Sequence, residues 1–164
     1  MKLLKLINDK LEMSICIILM SGMSLLLFVQ VFMRYIMGAS LSWSEELARY
    51  MFIWLIYLGI SYGAKIMKHI KIEATLMLFP EKMRPYVVIL GDVIFLLFSL
   101  YITYSSYGLV KKQMRLGQTS PAMGLPMWII YAAPMIGFAL TAIRELQTIV
   151  HRFRALKQED ENHG

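Results

Sequence analysis

Four long apolar segments, separated by short polar or basic connections, make up most of this chain. The first uncharged run covers residues 13–33. As a helix these 21 residues extend about 31 Å, which is enough to cross the hydrocarbon core of a membrane. The pattern predicts an all-α integral membrane protein with a charged tail at residues 151–164 and four transmembrane helices, at about residues 12–37, 43–67, 85–110 and 126–150.

The second predicted helix is unusual because its uncharged run, residues 50–64, is only about 22 Å long. To cross the membrane it must include the polar turn at residues 44–49, which places ionisable groups at the edge of the lipid. Charges at that depth are costly, so they need partners or a wet cavity. We therefore expect a partly desolvated ion pair there, formed by one arginine and one glutamate from the set Arg34, Arg49, Glu45 and Glu46.

The residues before this helix predict how the chain turns into it. Gly38 can end the first helix by adopting the left-handed conformation that other residues avoid. Ser42 and Glu45 have the spacing of a capping box. Glu45 and Arg49 are four residues apart with the acid first, which favours a pair on one face. We expect the second helix to begin near Trp43.

The remaining connections are basic or rich in turn-forming residues. Residues 72–79 are apolar but too short to cross, which is compatible with a short interfacial helix on the membrane surface. Pro85 and Pro126 suit the first turns of the third and fourth helices. The charged residues from Arg144 onward are expected to project into water.

Composition and charge agree with a membrane protein. Of the 164 residues, 58% are hydrophobic, and the mean hydropathy is positive. The net charge of +6 does not indicate a nucleic-acid partner, because the basic residues border apolar segments. With the N-terminus in the cytoplasm, twelve basic residues lie inside and five outside, so the positive-inside rule predicts cytoplasmic termini. Cys16 is the one cysteine, which excludes an internal disulfide.

No catalytic, cofactor-binding or metal-binding motif is visible in the sequence. Four ionisable residues in or beside the apolar segments are candidates for a transport path: Arg34, Glu46, Arg49 and Asp92. The structural alternative, in which these groups form interface charges and interhelix pairs, is favoured because they lie near membrane edges and not at the midplane.

Two further patterns indicate possible contact surfaces. Gly59 and Gly63 form a G-x-x-x-G pattern, which supports a helix interface without identifying its partner. Lys111, Lys112 and Arg115 end the third helix and are candidates for docking a partner outside the membrane. The simpler interpretation of that cluster is a solvated helix end.

The chain resembles the small membrane subunit of tripartite ATP-independent periplasmic (TRAP) transporters. The resemblance depends on an ordered set of short matches that includes Trp43 and Trp54 and covers most of the chain: residues 31–35, 42–50, 54, 58–59, 68–72, 126–131 and 134. Each match alone is weak, whereas the ordered set is fairly specific.

The resemblance implies a large multi-span permease subunit and a periplasmic substrate-binding protein as partners, in the bacterial inner membrane. The sodium and substrate sites would belong to the large subunit, and the small subunit would brace it and help to dock the binding protein. The substrates implied are organic acids such as dicarboxylates and sialic acids. The alternative from the residues alone is a small transporter or channel that works by itself as an oligomer. A membrane enzyme has no motif to support it.

Overall fold

The computed structural model describes residues 2–38, 41–66, 80 and 83–163. Within them lie four helices: α1 (Lys2–Ile36), α2 (Ser42–Ile66), α3 (Arg84–Leu116) and α4 (Trp128–His163). Each contains a segment long and apolar enough to cross a membrane, which confirms the predicted class of four spanning helices. The suggested interfacial helix at residues 72–79 lies outside the described residues.

The helices form an open array in the spatial order α1, α2, α4, α3. Contacts along their lengths show that α2 runs antiparallel to α1 and parallel to α4, while α3 runs antiparallel to α4. We call the end where α1 passes into α2 the loop end, and the opposite end the termini end. Half of the apolar window of α4 is buried within the chain, against 6% of that of α1, so α4 is the central helix.

The ends of the helices follow the turn residues. Gly38 has a φ of 65°, and the Met37 N–H donates to the Met33 carbonyl at 3.1 Å, which confirms that Gly38 ends α1. Pro85 lies in the first turn of α3, as predicted. Pro126 lies just before α4, where its carbonyl accepts from the Ile129 N–H at 3.2 Å, and so contributes to the turn that opens the helix.

The core between α2 and α4 is built from small and aromatic side chains. Ala133 is fully buried. A Cβ on Gly137 would lie 2.6 Å from the Tyr57 carbonyl oxygen, so only glycine allows this close approach of the two backbones. The Phe138 ring contacts Tyr57 at a centroid distance of 6.0 Å and Phe98 at 5.8 Å. These contacts hold α4 between its two neighbours.

The expectation that the chain projects into water from Arg144 onward is wrong for its first residues. Arg144 and Glu145 are 9% and 5% exposed, and α4 continues without a break to His163. Arg144 can be buried because it meets a carboxylate of α1, Glu12. A charge that finds a partner inside the helix array does not need water.

Candidate functional site at the loop end

The connection between α3 and α4, residues 117–127, is a compact hairpin that we call the α3–α4 loop. Thr119 pairs with Pro126 in an antiparallel bridge. The Ser120 N–H donates to the Leu125 carbonyl at 2.8 Å, and Gly124 supplies the tight turn with a φ of 66°. The loop therefore has its own backbone hydrogen bonds and a defined shape.

Glu46 of α2 reaches into this loop. Its Oε2 accepts hydrogen bonds from the backbone N–H groups of Ala122 at 2.8 Å and Met123 at 3.0 Å. Its Oε1 accepts from the Tyr50 hydroxyl. The Glu46 side chain is almost wholly buried, with the residue 7% exposed. Three donors satisfy the carboxylate, and hydrogen bonds to an ionised acceptor are the stronger kind.

The expected ion pair at this end forms between Arg34 and Glu45 and does not include Glu46. Arg34 Nη2 lies 3.9 Å from Glu45 Oε1, which also accepts from Gln30 Nε2 at 2.8 Å. Both charged side chains are about half exposed, at 57% and 49%, so the other helices of this chain do not desolvate the pair. The capping box is not formed, because the Glu45 carboxylate turns toward α1 instead of back to Ser42.

Arg49 pairs with neither Glu45 nor Glu46. It is exposed and forms no ion pair with any residue that the structure describes. The same-face pair predicted between Glu45 and Arg49 is therefore absent. Arg49 instead lies at the rim of a cleft of about 600 Å³ between α2 and α4. The lining of this cleft is mainly apolar and includes Ile53, Tyr57, Ile130 and Pro134.

A second cluster of buried charge lies at the termini end. Glu12 Oε1 of α1 accepts from Arg144 Nε at 3.1 Å and Nη2 at 3.0 Å. The Ser61 hydroxyl of α2 donates to the same oxygen at 3.3 Å. The charged side chains are 5% and 10% exposed. This cluster joins three helices through one carboxylate.

Asp92 also lies toward the termini end and contacts α4. Its Oδ2 is 3.2 Å from Arg152 Nε, and the two side chains are 13% and 25% exposed. The four residues considered for a transport path are therefore split between the two ends of the array.

The other predicted contact residues are exposed or partly buried. Trp43 is 43% exposed, and Trp54 is half-buried. A Cβ on Gly59 or Gly63 would meet no atom within 4 Å, so neither glycine is needed for packing inside this chain. Lys111, Lys112 and Arg115 are all exposed in the last turns of α3, directly before the α3–α4 loop.

Sequence reasoning missed the cluster around Glu12 and the role of Tyr50. Glu12 offered a signal, because it directly precedes the uncharged run at residues 13–33, where an acid needs a partner. Tyr50 lies four residues after Glu46, which places both side chains on one helix face. Nothing local could have identified the N–H groups of Ala122 and Met123, which are backbone groups far along the chain.

The side chains at the loop end hold the α3–α4 loop through hydrogen bonds, and among the described residues they form no recognisable catalytic arrangement. Across the described ranges no set of three histidine, cysteine or acidic side chains could hold a metal ion. What the site provides is an anchored loop, an exposed basic helix end and an amphipathic cleft. These features suit contacts with other macromolecules or lipids.

Comparison with known proteins identifies the family. A family model described as "Tripartite ATP-independent periplasmic transporters, DctQ component" matches residues 23–155. The isethionate TRAP transporter permease protein DctMQ of Oleidesulfovibrio alaskensis is 32% identical over 145 residues, which are 83% of this chain and 23% of that protein. A putative TRAP transporter small permease protein of Haemophilus influenzae is 31% identical over 152 residues, 90% of this chain and 92% of the relative.

The C4-dicarboxylate TRAP transporter small permease protein DctQ of Rhodobacter capsulatus is 28% identical over 127 residues, 77% of this chain and 56% of the relative. The chain thus spans under a quarter of the isethionate relative, over half of the Rhodobacter relative and nearly all of the Haemophilus relative. The chain belongs to the small permease (DctQ) family of TRAP transporters, and it is a multi-pass protein of the inner membrane.

Proposed function

We propose that this chain is the scaffold subunit of a sodium-coupled, binding-protein-dependent importer of organic acids. In this role it braces a large permease subunit and helps to dock a periplasmic binding protein. The observation that carries the proposal is the anchored α3–α4 loop beside an exposed basic helix end, in a chain whose family is that of TRAP small permeases.

The scaffold role is supported by how the chain uses its buried charges. Glu12 and Asp92 each contact an arginine of α4, and Glu46 binds backbone N–H groups. These acids hold the chain together and are not gathered around a common cavity. We therefore assign the coupling ions to the large subunit. The relative named DctMQ, of which this chain matches only 23%, supports a close association with a larger permease.

The docking role depends on orientation. The distribution of basic residues favours cytoplasmic termini, which puts the loop end in the periplasm. Lys111, Lys112 and Arg115 then form a basic surface that faces the binding protein. Such a surface steers an acidic partner and raises the rate of encounter, an effect that salt screens.

The substrate class is taken from the relatives. Their names mention isethionate, C4-dicarboxylate and sialic acid, which are organic acids, and also ectoine. We assign the choice among these compounds to the other subunits, in agreement with a scaffold role for this chain.

The docking proposal can be tested on the complete transporter in liposomes. A reporter fused at Thr119 first checks that the loop end is periplasmic. Lys111→Glu combined with Lys112→Glu should then raise the binding-protein concentration needed for half-maximal uptake by about tenfold, and added salt should narrow the difference. Arg154→Glu, an exposed charge near the other end of α4, is the matched control. Unchanged uptake in the double variant at low salt would remove the docking role.

A further inference from the structure

Glu46 completes the hydrogen bonding of the α3–α4 loop. Inside the loop, the N–H groups of Ser120, Gly124 and Leu125 donate to acceptors of the loop itself. The two successive N–H groups between them, those of Ala122 and Met123, donate instead to one oxygen of Glu46. These two hydrogen bonds are partly buried, and they tie the loop to a residue that lies 76 positions earlier in the chain.

The contact holds one side of the loop and leaves the other side open. Ser120 is 3% exposed, on the side of the loop that Glu46 of α2 contacts. Pro121, Ala122 and Gly124 are exposed. A carboxylate that accepts two N–H groups on one oxygen sets the position of the loop more tightly than a long-range charge would, because hydrogen bonds are directional. The exposed side of the loop is thereby held in a fixed position beside Lys111 and Arg115.

The neighbouring acid makes none of these contacts. Glu45 carries the same charge one residue earlier, but its carboxylate contacts Gln30 and Arg34 of α1. It is exposed, whereas Glu46 is buried. Comparing the same substitution at the two glutamates therefore distinguishes the effect of losing a negative charge at the loop end from the effect of releasing the loop.

We propose that Glu46 is a positioning residue, which fixes the α3–α4 loop in the shape that a periplasmic binding protein recognises. The proposal rests on the docking role proposed above and adds the residue that makes the docking surface rigid. The occupant of this surface is the binding protein, because the exposed, uncharged side of the loop directly follows the basic end of α3, whose charge is complementary to an acidic partner.

Glu46→Gln tests the proposal with little change in volume. In glutamine a neutral amide oxygen replaces the ionised carboxylate, so the hydrogen bonds from the two loop N–H groups lose their charge assistance, and the NH₂ group cannot accept at all. If the substitution lowers the docking-competent fraction of loops to about one tenth, the apparent affinity for the binding protein falls about tenfold. Tyr50→Phe removes one donor and leaves both loop contacts, so its effect should be smaller.

The experiment uses the complete transporter with Glu46→Gln, Tyr50→Phe and the control Glu45→Gln. Hydrogen exchange at the amides of Ala122 and Met123 reports whether the loop is held, and uptake titrated with binding protein reports docking. In Glu46→Gln we expect exchange at these amides to be roughly tenfold faster, with a higher half-saturating concentration of binding protein and an unchanged uptake rate at saturation. Glu45→Gln should match the parent in all three.

The outcomes separate this inference from the proposed function. Unchanged amide exchange in Glu46→Gln would overturn the anchoring role. Faster exchange with unchanged docking would show that the loop shape is not recognised, and it would overturn the inference while the test of Lys111 and Lys112 still decides the docking role. A loss of uptake at saturating binding protein would also count against it, because a positioning residue for docking does not limit the transport step.

Discussion

The two ends of this helix array each bury a glutamate but satisfy it in different ways. At the termini end, Glu12 meets the guanidinium of Arg144 and the hydroxyl of Ser61. At the loop end, Glu46 meets no cation among the residues that the structure describes, and it is held by two backbone N–H groups and the Tyr50 hydroxyl. One acid is paired with charge on another helix, and the other is surrounded by dipoles of a loop.

This difference indicates that the two buried glutamates have different structural roles. The Glu12 cluster joins α1, α2 and α4 at fixed points on rigid helices, so it sets how the helices pack. The Glu46 contacts join a helix to a connection that would otherwise be free to move, so they set the shape of a surface. Substitutions at the termini end should therefore change stability first, while those at Glu46 should change docking first.

The largest effect is expected when one partner of the Glu12–Arg144 pair is removed. Glu12→Gln leaves the buried guanidinium of Arg144 without its carboxylate, and Arg144→Met leaves the buried carboxylate of Glu12 without its cation. Breaking a buried pair in this way costs about 3–5 kcal/mol, whereas replacing both partners can be nearly neutral. We expect each single variant to lower the thermal stability of the purified subunit strongly and the double variant to recover much of the loss.

The control for this prediction is Arg154→Gln, which changes an exposed charge two turns or more further along α4. It should behave like the parent. If both single variants unfold at the parental temperature, the cluster does not hold the helices, and the distinction between the two ends fails. Glu12 Oε2 has no hydrogen-bond partner within the described part of the chain. Of the two buried glutamates, Glu12 should therefore lose more stability when one of its partners is removed.

The sequence was sufficient for the helices but not for their contacts. Four apolar segments of membrane-crossing length predicted four helices, and the left-handed Gly38 and the helix-starting Pro85 followed from local chemistry. The partner of Glu46 could not be predicted, because a carboxylate accepts equally well from an arginine and from backbone N–H groups. Which of these lies nearby is decided by the packing of α2 against α4, a long-range property that local patterns do not contain.

The glycines show the same limit. The G-x-x-x-G pattern of Gly59 and Gly63 favoured a helix interface, yet within this chain the close approach occurs at Gly137. Spacing identifies a small-residue face, but it does not say which face meets which helix. Gly59 and Gly63 stay candidates for a helix interface outside this chain, and this remains a prediction.

An intermediate effect is expected at the α2–α4 crossing, which connects the two ends. Gly137→Ala would place a methyl group 2.6 Å from the Tyr57 carbonyl oxygen, so the helices must separate. Overpacking of this kind typically costs about 1–3 kcal/mol. Since α2 carries both Ser61 and Glu46, the separation should also increase hydrogen exchange in the α3–α4 loop.

Gly63→Ala is the matched substitution, because its new methyl group meets no atom of this chain within 4 Å. In the purified subunit it should not lower thermal stability. Equal behaviour of the two alanine variants would mean that the crossing at Gly137 is loose and does not couple the two ends.

The smallest effect is expected at the Arg34–Glu45 pair, which shares the loop end with Glu46 but not its burial. The charged atoms are 3.9 Å apart and both side chains are about half exposed, so solvent screens most of their attraction. Exposed pairs of this kind contribute about 0–1 kcal/mol. Arg34→Ala should therefore leave the thermal stability of the purified subunit within about 1 kcal/mol of the parent. It should also leave amide exchange at Ala122 unchanged.

A double-mutant cycle with Glu45→Ala isolates the pair energy. A coupling of 3 kcal/mol or more, as for a buried pair, would show that this pair is desolvated in the membrane. The two acids of the loop end would then hold it jointly, and burial in the isolated chain would no longer separate Glu45 from Glu46.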